Sequence, residues 1–308
     1  MKALSTKITQ GSKLAVIMKV QLGAKFLLLI GVFVLFCHSA GAESANEIQT
    51  LYSKAIPVGK PGTNALSYHD IPIDLNDKRN SEALLELNKN GIAGEAFYAR
   101  KDKLNAPYFE CVCSDDAVLK ARKTVLEKLK GVNARLAPLG IELYVFDAYR
   151  PVSCQKELWK FFIVEAKRIL GANASDEACT QYAGDYCSNP SKYDPKDFRT
   201  WPTHFTGGAV DLTLRIKKTG ELLYMGGIFD DASELSHSDY FETTNHAKSC
   251  ASNNEAMRNR RLLYWAMTDA GFTNYWNEWW HFDFGDQMWV QNSRENKAEH
   301  AFYGAAMP

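Results

Sequence analysis

The residues of this chain that could perform metal chemistry fall in two short segments. His204 and Asp211 stand in HFTGGAVD, and His281 ends EWWH, which begins at Glu278. Two imidazoles and one carboxylate, with a fourth position open to water, are a ligand set that suits a catalytic zinc ion. Glu278 is the acid that would accept a proton from water at such a metal. These residues predict a site for metal-assisted hydrolysis.

The same residues also fit a structural interpretation. Glu278 and His281 could form a hydrogen-bonded pair at the edge of the core, beside Trp279 and Trp280. In a regular strand, residues three apart point to opposite faces. Both side chains can meet one metal only if Glu278 lies at a bend or just before the strand. The spacing alone does not decide between a metal site and a structural pair.

Composition and charge limit the classes of partner that this chain could have. Of the 308 residues, 46% are hydrophobic, and 36 lysines and arginines balance 36 aspartates and glutamates. This balance predicts no basic face, so we do not expect a nucleic acid partner. The length suits one large domain, because no repeat or low-complexity linker divides the sequence.

The N-terminal segment has the composition of a secretory signal peptide. Residues 1–42 contain five lysines and no acid, then the apolar run FLLLIGVFVLF, then small residues ending at Ala42. This order matches the three regions of a cleavable signal, and the run is short for a membrane span. Either Met1 or Met18 could be the start. We expect cleavage after Ala42, a periplasmic or secreted protein, and no stable membrane insertion afterwards.

The mature chain would then be one domain at residues 43–308, in which 43–80 could form an extended arm. Cleavage leaves 31 basic and 36 acidic residues, because all five lysines of the leader are removed. Six cysteines remain, and an even number in an exported chain predicts at least two disulfides. These are Cys111, Cys113, Cys154, Cys179, Cys187 and Cys250. We favour a local Cys179–Cys187 pair, since Cys111 and Cys113 point the same way on a strand and are poorly placed to bridge each other.

Hydrophobic periodicity predicts a helix in the first half of this domain. Ser114, followed by two aspartates, resembles a helix N-cap. Apolar residues then recur at helical spacing, at Val118, Ala121, Val125, Leu129 and Val132. The segment PLG ends the helix, and IELYVF at 141–146 predicts a strand.

Further elements follow the turn DAYRP, which contains Arg150. A second helix is predicted at 153–170, with Leu158, Phe161, Phe162 and Ile169 facing inward, and residues 171–203 are expected to be loop. GGAVDLTLRI and EWWHFDF predict strands, and residues 254–270 predict a helix that Gly271 stops. Helices and strands alternate without a regular βαβ order, which favours the α+β class.

Several of these segments together resemble the D-alanyl-D-alanine dipeptidase family of zinc peptidases. They are DAYRP, THFTGGAVDLTL, MGGIFDDASELSH and NRRLLYWAMTDAGFTNYWNEWWHF. The resemblance runs in the family's order from about residue 141 to residue 286. It implies a compact domain with a central, mostly antiparallel sheet and flanking helices, the fold of Hedgehog-like D,D-carboxypeptidases.

The resemblance also implies roles for individual residues. One zinc ion would be held by His204, Asp211 and His281, with Glu278 as general base. Arg150 would stabilise the oxyanion. The substrate D-Ala-D-Ala would bind with its ammonium group at Asp230. Thr203 would supply a hydroxyl to the substrate, and Trp279 and Trp280 would wall the cleft.

Two departures from the family pattern bear on specificity. Pro202 stands where the family usually has a serine, and Thr203 is the nearest hydroxyl. The family's N-terminal half has only a loose counterpart in LNKNGIAGEAFYAR. The alternative functions are a D,D- or L,D-carboxypeptidase acting on longer peptidoglycan peptides and a binding module that has lost catalysis.

Overall fold

A mixed sheet lies at the centre of the fold. The computed structural model describes residues 46–61, 67–113, 118–184, 186–231, 233–243, 250–294 and 298–306, so the predicted signal peptide lies outside the described residues. The strands are β1 Leu84–Glu86, β2 Ala93–Gly94, β3 Lys120–Arg122, β4 Ile141–Asp147, β5 Val210–Ile216, β6 Thr273–Asn274 and β7 His281–Asp283. The helices between and after these strands are α1 Lys123–Leu136, α2 Val152–Leu170, α3 Asp176–Gly184, α4 Ala251–Thr268 and α5 Gln287–Gln291.

The sheet topology places the candidate site on the central strands. The order is β2-β4-β5-β7-β6, in which β2 runs parallel to β4 and the other neighbours are antiparallel. Pairing of β5 with β7 sets Asp211 opposite His281, and pairing of β4 with β5 sets Asp147 opposite Asp211. One row of paired residues therefore crosses three strands. The α+β class is confirmed.

The first predicted helix begins later than its apolar pattern indicated. Lys120–Arg122 is a strand that pairs antiparallel with Leu84–Glu86, and α1 begins only at Lys123. Val118 is 43% exposed, so it does not belong to the buried face. The proposed N-cap at Ser114 lies outside the described residues. The helical spacing was misleading here because a short edge strand can place its own apolar residue, Ala121, in the core.

The predicted span of the second helix is confirmed, but one residue expected to face inward is exposed. Leu158 and Phe162 are buried on α2, and Phe161 packs partly buried against the same core, but Ile169 is 52% exposed. The stretch expected to be loop contains α3, with Asp176 and Glu177 in its first turn. Acids at a helix N-terminus are favoured by the helix dipole, and this signal was missed.

The later predictions hold for the strand β5 and the helix α4, whereas the last strand is shorter than expected. Only His281–Asp283 of EWWHFDF pairs as a strand. The Glu278 N–H donates to the carbonyl of Tyr275, which marks a turn before β7. Glu278 therefore lies just before the strand, as the metal interpretation required.

The structure corrects the predicted cysteine pairing. Cys113 and Cys154 are bonded, with their Cα atoms 5.1 Å apart. Cys179 and Cys187 are buried as separate thiols. The Cys187 Sγ accepts a hydrogen bond of 2.9 Å from the Gln155 side chain. The local pair was wrong because α3 packs Cys179 into the interior while Cys187 faces α2.

No helix within the described part of the chain is both long enough and apolar enough to cross a membrane.

Candidate active site

Three buried side chains converge between β5, β7 and the turn that precedes β5. The ligand atoms of His204, Asp211 and His281 all lie within 4.8 Å of one another. The His204 Nε2 lies 3.3 Å from Asp211 Oδ2, and the His281 Nδ1 lies 3.0 Å from Asp211 Oδ1. This set of two nitrogens and one carboxylate around a common centre fits a metal ion such as zinc.

The second nitrogen of each imidazole is held by the protein. The His204 Nδ1 lies 2.8 Å from the carbonyl oxygen of Ala148, and the His281 Nε2 lies 2.9 Å from Asp283 Oδ1. A carbonyl oxygen only accepts, so Nδ1 of His204 carries the proton and Nε2 is free to act as a ligand. Such partners fix the ring orientation and the tautomer of metal-binding histidines.

The carboxylate of Asp211 is held in its ionised form. Burial alone raises the pKa of Asp211, but the charges and hydrogen bonds of His204 and His281 outweigh this effect and lower the pKa. An ionised carboxylate is the form that binds a cation.

A buried arginine fixes the turn that carries His204. The Arg122 Nε donates to the carbonyl of Thr206 at 2.8 Å, and its Nη2 donates to Gly304 at 3.1 Å. Gly207, which ends this turn, has a φ of 74°, and an added Cβ would meet Leu84 at 2.6 Å. A glycine is therefore required between the two predicted ligands.

Glu278 lies beside this cluster. Its Oε2 is 3.7 Å from the His281 Nδ1, and its side chain is 23% exposed. Burial raises the pKa of Glu278 to about 8; the charge of His281 opposes this shift, and Asp211 and Asp230 reinforce it. A raised pKa suits a group that must both accept and return a proton near neutral pH.

Arg150 reaches the same centre from the turn after β4. Its Nε donates to Asp147 Oδ2 at 2.7 Å. Its Nη2 lies 3.5 Å from Asp211 Oδ2 and 3.3 Å from the Tyr98 hydroxyl. The side chain is 10% exposed. The structure thus brings the cation and the three predicted ligands together in one site.

Asp230 lies in the same cleft, in a left-handed backbone conformation with φ of 58°. The hydroxyls of Tyr98 and Tyr108 each donate to its Oδ2 at 2.8 Å. Burial raises the pKa of Asp230 to about 7, and the charge of Asp211 adds to the shift, while the Tyr98 hydrogen bond and the charge of Arg150 lower it. A buried carboxylate of this kind gains most from a cationic ligand.

The cleft that contains these groups has a volume of about 440 Å³. Thr203 and Trp280 line it, as expected, and Pro202 lies beside Thr203 in the wall. Trp279 is buried elsewhere, with its ring 5.7 Å from the guanidinium carbon of Arg260. The expectation that both tryptophans wall the cleft is therefore wrong for Trp279, because its ring packs edge-on against Trp280, 5.3 Å away, outside the cleft lining.

Comparison with known proteins agrees with this geometry. A family model described as D-ala-D-ala dipeptidase matches residues 90–299. The chain belongs to this family.

Individual dipeptidases show the same relationship. A D-alanyl-D-alanine dipeptidase of Synechocystis sp. is 30% identical over 198 residues, which cover 59% of this chain and 77% of that protein. The Escherichia coli enzyme of the same name is 30% identical over 195 residues, covering 63% and 73%. A shorter match to the Enterococcus faecium dipeptidase is 44% identical over 85 residues, covering 28% and 38%.

Several residues of the dipeptidase site were missed by sequence reasoning. These are Asp147, Asp283, Tyr98, Tyr108 and Gln155. Asp283 follows His281 by two positions, which puts both on one face of β7, and this spacing was a usable signal. Asp147 begins DAYRP, three residues before Arg150. The tyrosines gave no signal, because only the folded chain brings their hydroxyls to Asp230.

Residues before the matched region also line the dipeptidase cleft. Lys60, Pro61 and Tyr68 lie in its wall. The Tyr68 hydroxyl is 3.2 Å from the Ser188 Oγ, across the cleft wall. This chain therefore builds part of its cleft from a segment that the family match does not include.

Proposed function

We propose that this chain is a zinc-dependent dipeptidase that hydrolyses D-Ala-D-Ala to D-alanine. The observation that carries the proposal is the convergence of His204, Asp211 and His281, with Glu278 beside them. Zinc bound there would lower the pKa of water and polarise the scissile carbonyl. We expect the protein to share its compact α+β fold with D,D-carboxypeptidases.

The protein groups have separate tasks in this mechanism. Glu278 takes a proton from the attacking water and delivers it to the leaving amine. Arg150 donates from Nη2, which lies 3.5 Å from Asp211 Oδ2, to the oxygen that becomes negative in the tetrahedral transition state. Asp230 binds the ammonium group of the dipeptide. Thr203 and Trp280 shape the pocket around it.

The near alternative is a carboxypeptidase that trims longer peptides. A longer peptide has no free ammonium next to the scissile bond, so the buried carboxylate of Asp230 favours the dipeptidase. Hydrolysis of D-Ala-D-Ala is measured beside N-acetyl-D-Ala-D-Ala with the same enzyme. Cleavage of the free dipeptide alone supports the proposal, whereas equal cleavage supports the carboxypeptidase. A protein that cleaves neither when loaded with zinc would be a binding module.

The metal has its own test. Protein purified without added metal should contain one zinc per chain by elemental analysis, and His204→Ala and His281→Ala should each lose it. Zinc retained unchanged in both variants would remove the proposed site.

We also propose that residues 1–42 direct the protein to the periplasm or the exterior. N-terminal sequencing of protein recovered from its native compartment should begin at Glu43. A mature protein that retains residue 1 or residue 18 would contradict export by this segment.

A further inference from the structure

Gln155 is a buried side chain of the cleft wall that the mechanism has not used. It lies in the first turn of α2, five residues after Arg150, and is 3% exposed. Its Oε1 accepts from Arg150 Nη1 at 3.0 Å. Its Nε2 donates to the carbonyl of Ser188 at 3.0 Å and to the Cys187 Sγ at 2.9 Å.

Chemistry fixes the orientation of this amide. Arginine nitrogens only donate and backbone carbonyl oxygens only accept. The amide oxygen must therefore face Arg150 and the amide nitrogen must face Ser188. A charged or apolar side chain at this position would satisfy one neighbour or neither, so the position requires a neutral group with a donor and an acceptor.

The contacts of Arg150 show what this bond adds. Asp147 Oδ2 accepts from Nε and lies 2.7 Å from Nη2, along one edge of the guanidinium. Gln155 accepts from Nη1, the guanidinium nitrogen that does not contact Asp147. Asp147, Tyr98 and Asp211 contact only Nε and Nη2. The Gln155 bond adds a fixed partner for Nη1 and so holds the plane in which Nη2 faces Asp211.

We infer that Gln155 is a positioning residue for the reaction: it holds the Arg150 guanidinium in the orientation that stabilises the oxyanion and ties it to the cleft wall at residues 187 and 188. This inference rests on the proposed role of Arg150. Because the oxyanion exists only in the transition state, a loss of positioning lowers kcat more than it raises KM.

The substitution that removes all three hydrogen bonds at nearly constant volume is Gln155→Met. In the zinc-loaded mature enzyme, kcat for D-Ala-D-Ala should fall roughly 10- to 100-fold, less than the roughly 10²- to 10³-fold cost of losing an oxyanion stabiliser outright, because Arg150 remains. KM should change less, and one zinc should be retained. Gln155→Glu should also lower kcat, because a carboxylate partly neutralises Arg150 and cannot donate to Ser188.

A matched control separates positioning from general stability. Gln287 is a buried glutamine whose Nε2 donates to the carbonyls of His69 and Ile71, at 3.1 and 2.8 Å. Gln287→Met should lower the melting temperature about as much as Gln155→Met while leaving kcat close to that of the natural enzyme.

The deciding experiment is a double-mutant cycle with Arg150→Lys. If Gln155 acts through Arg150, Gln155→Met should have little further effect on kcat in the Arg150→Lys enzyme. Equal effects in both backgrounds, or wild-type kcat in Gln155→Met, would overturn the inference. A near wild-type rate in Arg150→Lys itself would instead contradict the proposed oxyanion role, so the two failures are distinguishable.

Discussion

At the scale of single residues, the two histidines are prepared for metal binding in different ways. The Ala148 carbonyl accepts from the His204 Nδ1 and leaves Nε2 facing Asp211, whereas His281 faces the carboxylate of Asp283. Asp283 is fully buried, so its charge acts on His281 with little screening. A carboxylate that accepts from one imidazole nitrogen makes the other nitrogen a stronger donor to the metal.

Replacement of Asp283 by asparagine should therefore weaken metal binding without removing a ligand. We expect zinc affinity to fall roughly 10-fold or more, within the usual range for such partners, as measured by competition with a chelator. Asp239→Asn is the control, because Asp239 is a buried aspartate that accepts from the Gly59 N–H at 2.7 Å. Equal zinc affinity in the two variants would show that Asp283 has no role at the metal.

Asp230 is expected to act on binding and not on the chemical step. Asp230→Asn keeps the shape and can still accept from Tyr98 and Tyr108, but it removes the negative charge. KM for free D-Ala-D-Ala should rise, while kcat and zinc content change little, as determined from steady-state kinetics and elemental analysis. A fall in kcat at unchanged KM would assign Asp230 to the transition state instead.

At the scale of elements, the sequence predicted the presence of strands and helices better than the residues at which they begin and end. β4 and β5 were found because IELYVFD and VDLTLRI are rich in aliphatic and aromatic residues, most of them buried between neighbouring strands. The turn before β7 could not be read from EWWHFDF, since its position depends on pairing with β5. The predicted metal ligands were recognisable because few residue types can bind a metal. Tyr98, Tyr108 and Gln155 could not be recognised, because only tertiary packing brings them to the site.

Helix α4 holds the loop that carries Asp230. The Arg260 side chain is 2% exposed and donates to the carbonyls of Met225, His237 and Leu235 at 2.7, 2.8 and 2.8 Å. Burial lowers the pKa of Arg260 to about 9, against the raising effect of nearby acids, chiefly Asp231. The three bonds connect the helix to both ends of the loop, so the position of Asp230 depends on α4.

Arg260→Met should leave the carbonyls of Met225 and Leu235 without a donor, whereas the His237 carbonyl still accepts from the Tyr240 N–H. Each unsatisfied buried group costs about 1–3 kcal/mol, so we expect destabilisation of at least about 2 kcal/mol, measured by chemical denaturation. KM for the dipeptide should also rise, because the loop bearing Asp230 loosens. Arg258→Met, on the same helix and beside Tyr52, serves as the control. Similar stability losses in both variants would contradict a special role for Arg260.

At the scale of the whole molecule, distant parts of the chain are joined around the cleft. The Ile56 N–H donates to Glu242 Oε1 at 3.0 Å, and the Gln287 side chain donates to the carbonyl of Ile71 at 2.8 Å. The bond between Cys113 and Cys154 links the segment before β3 to α2. Six cysteines allow 15 pairings, and sequence could not select this one because the two residues are 41 positions apart.

Closure of this loop should stabilise the fold. We expect Cys154→Ser to lower the free energy of unfolding by up to about 4 kcal/mol, the chain-entropy value for a loop of this length. Peptide mapping without reduction should recover the Cys113–Cys154 peptide, and our sequence-based expectation of at least two disulfides is tested in the same experiment. Recovery of a Cys179–Cys187 peptide would contradict the structure.

The central claim is that Glu278 is the proton carrier of a metal-dependent hydrolysis. Glu278→Gln keeps the shape of the side chain and removes its ability to accept a proton. General-base loss costs roughly 10²- to 10⁴-fold, and we expect the upper end because Glu278 would serve both proton transfers. Zinc content and melting temperature should remain those of the natural enzyme, since Glu278 is not a ligand. The measurement is kcat for D-Ala-D-Ala with the zinc-loaded variant. A fall of at least about 10³-fold is predicted, and turnover near the natural rate would mean that Glu278 is a structural residue.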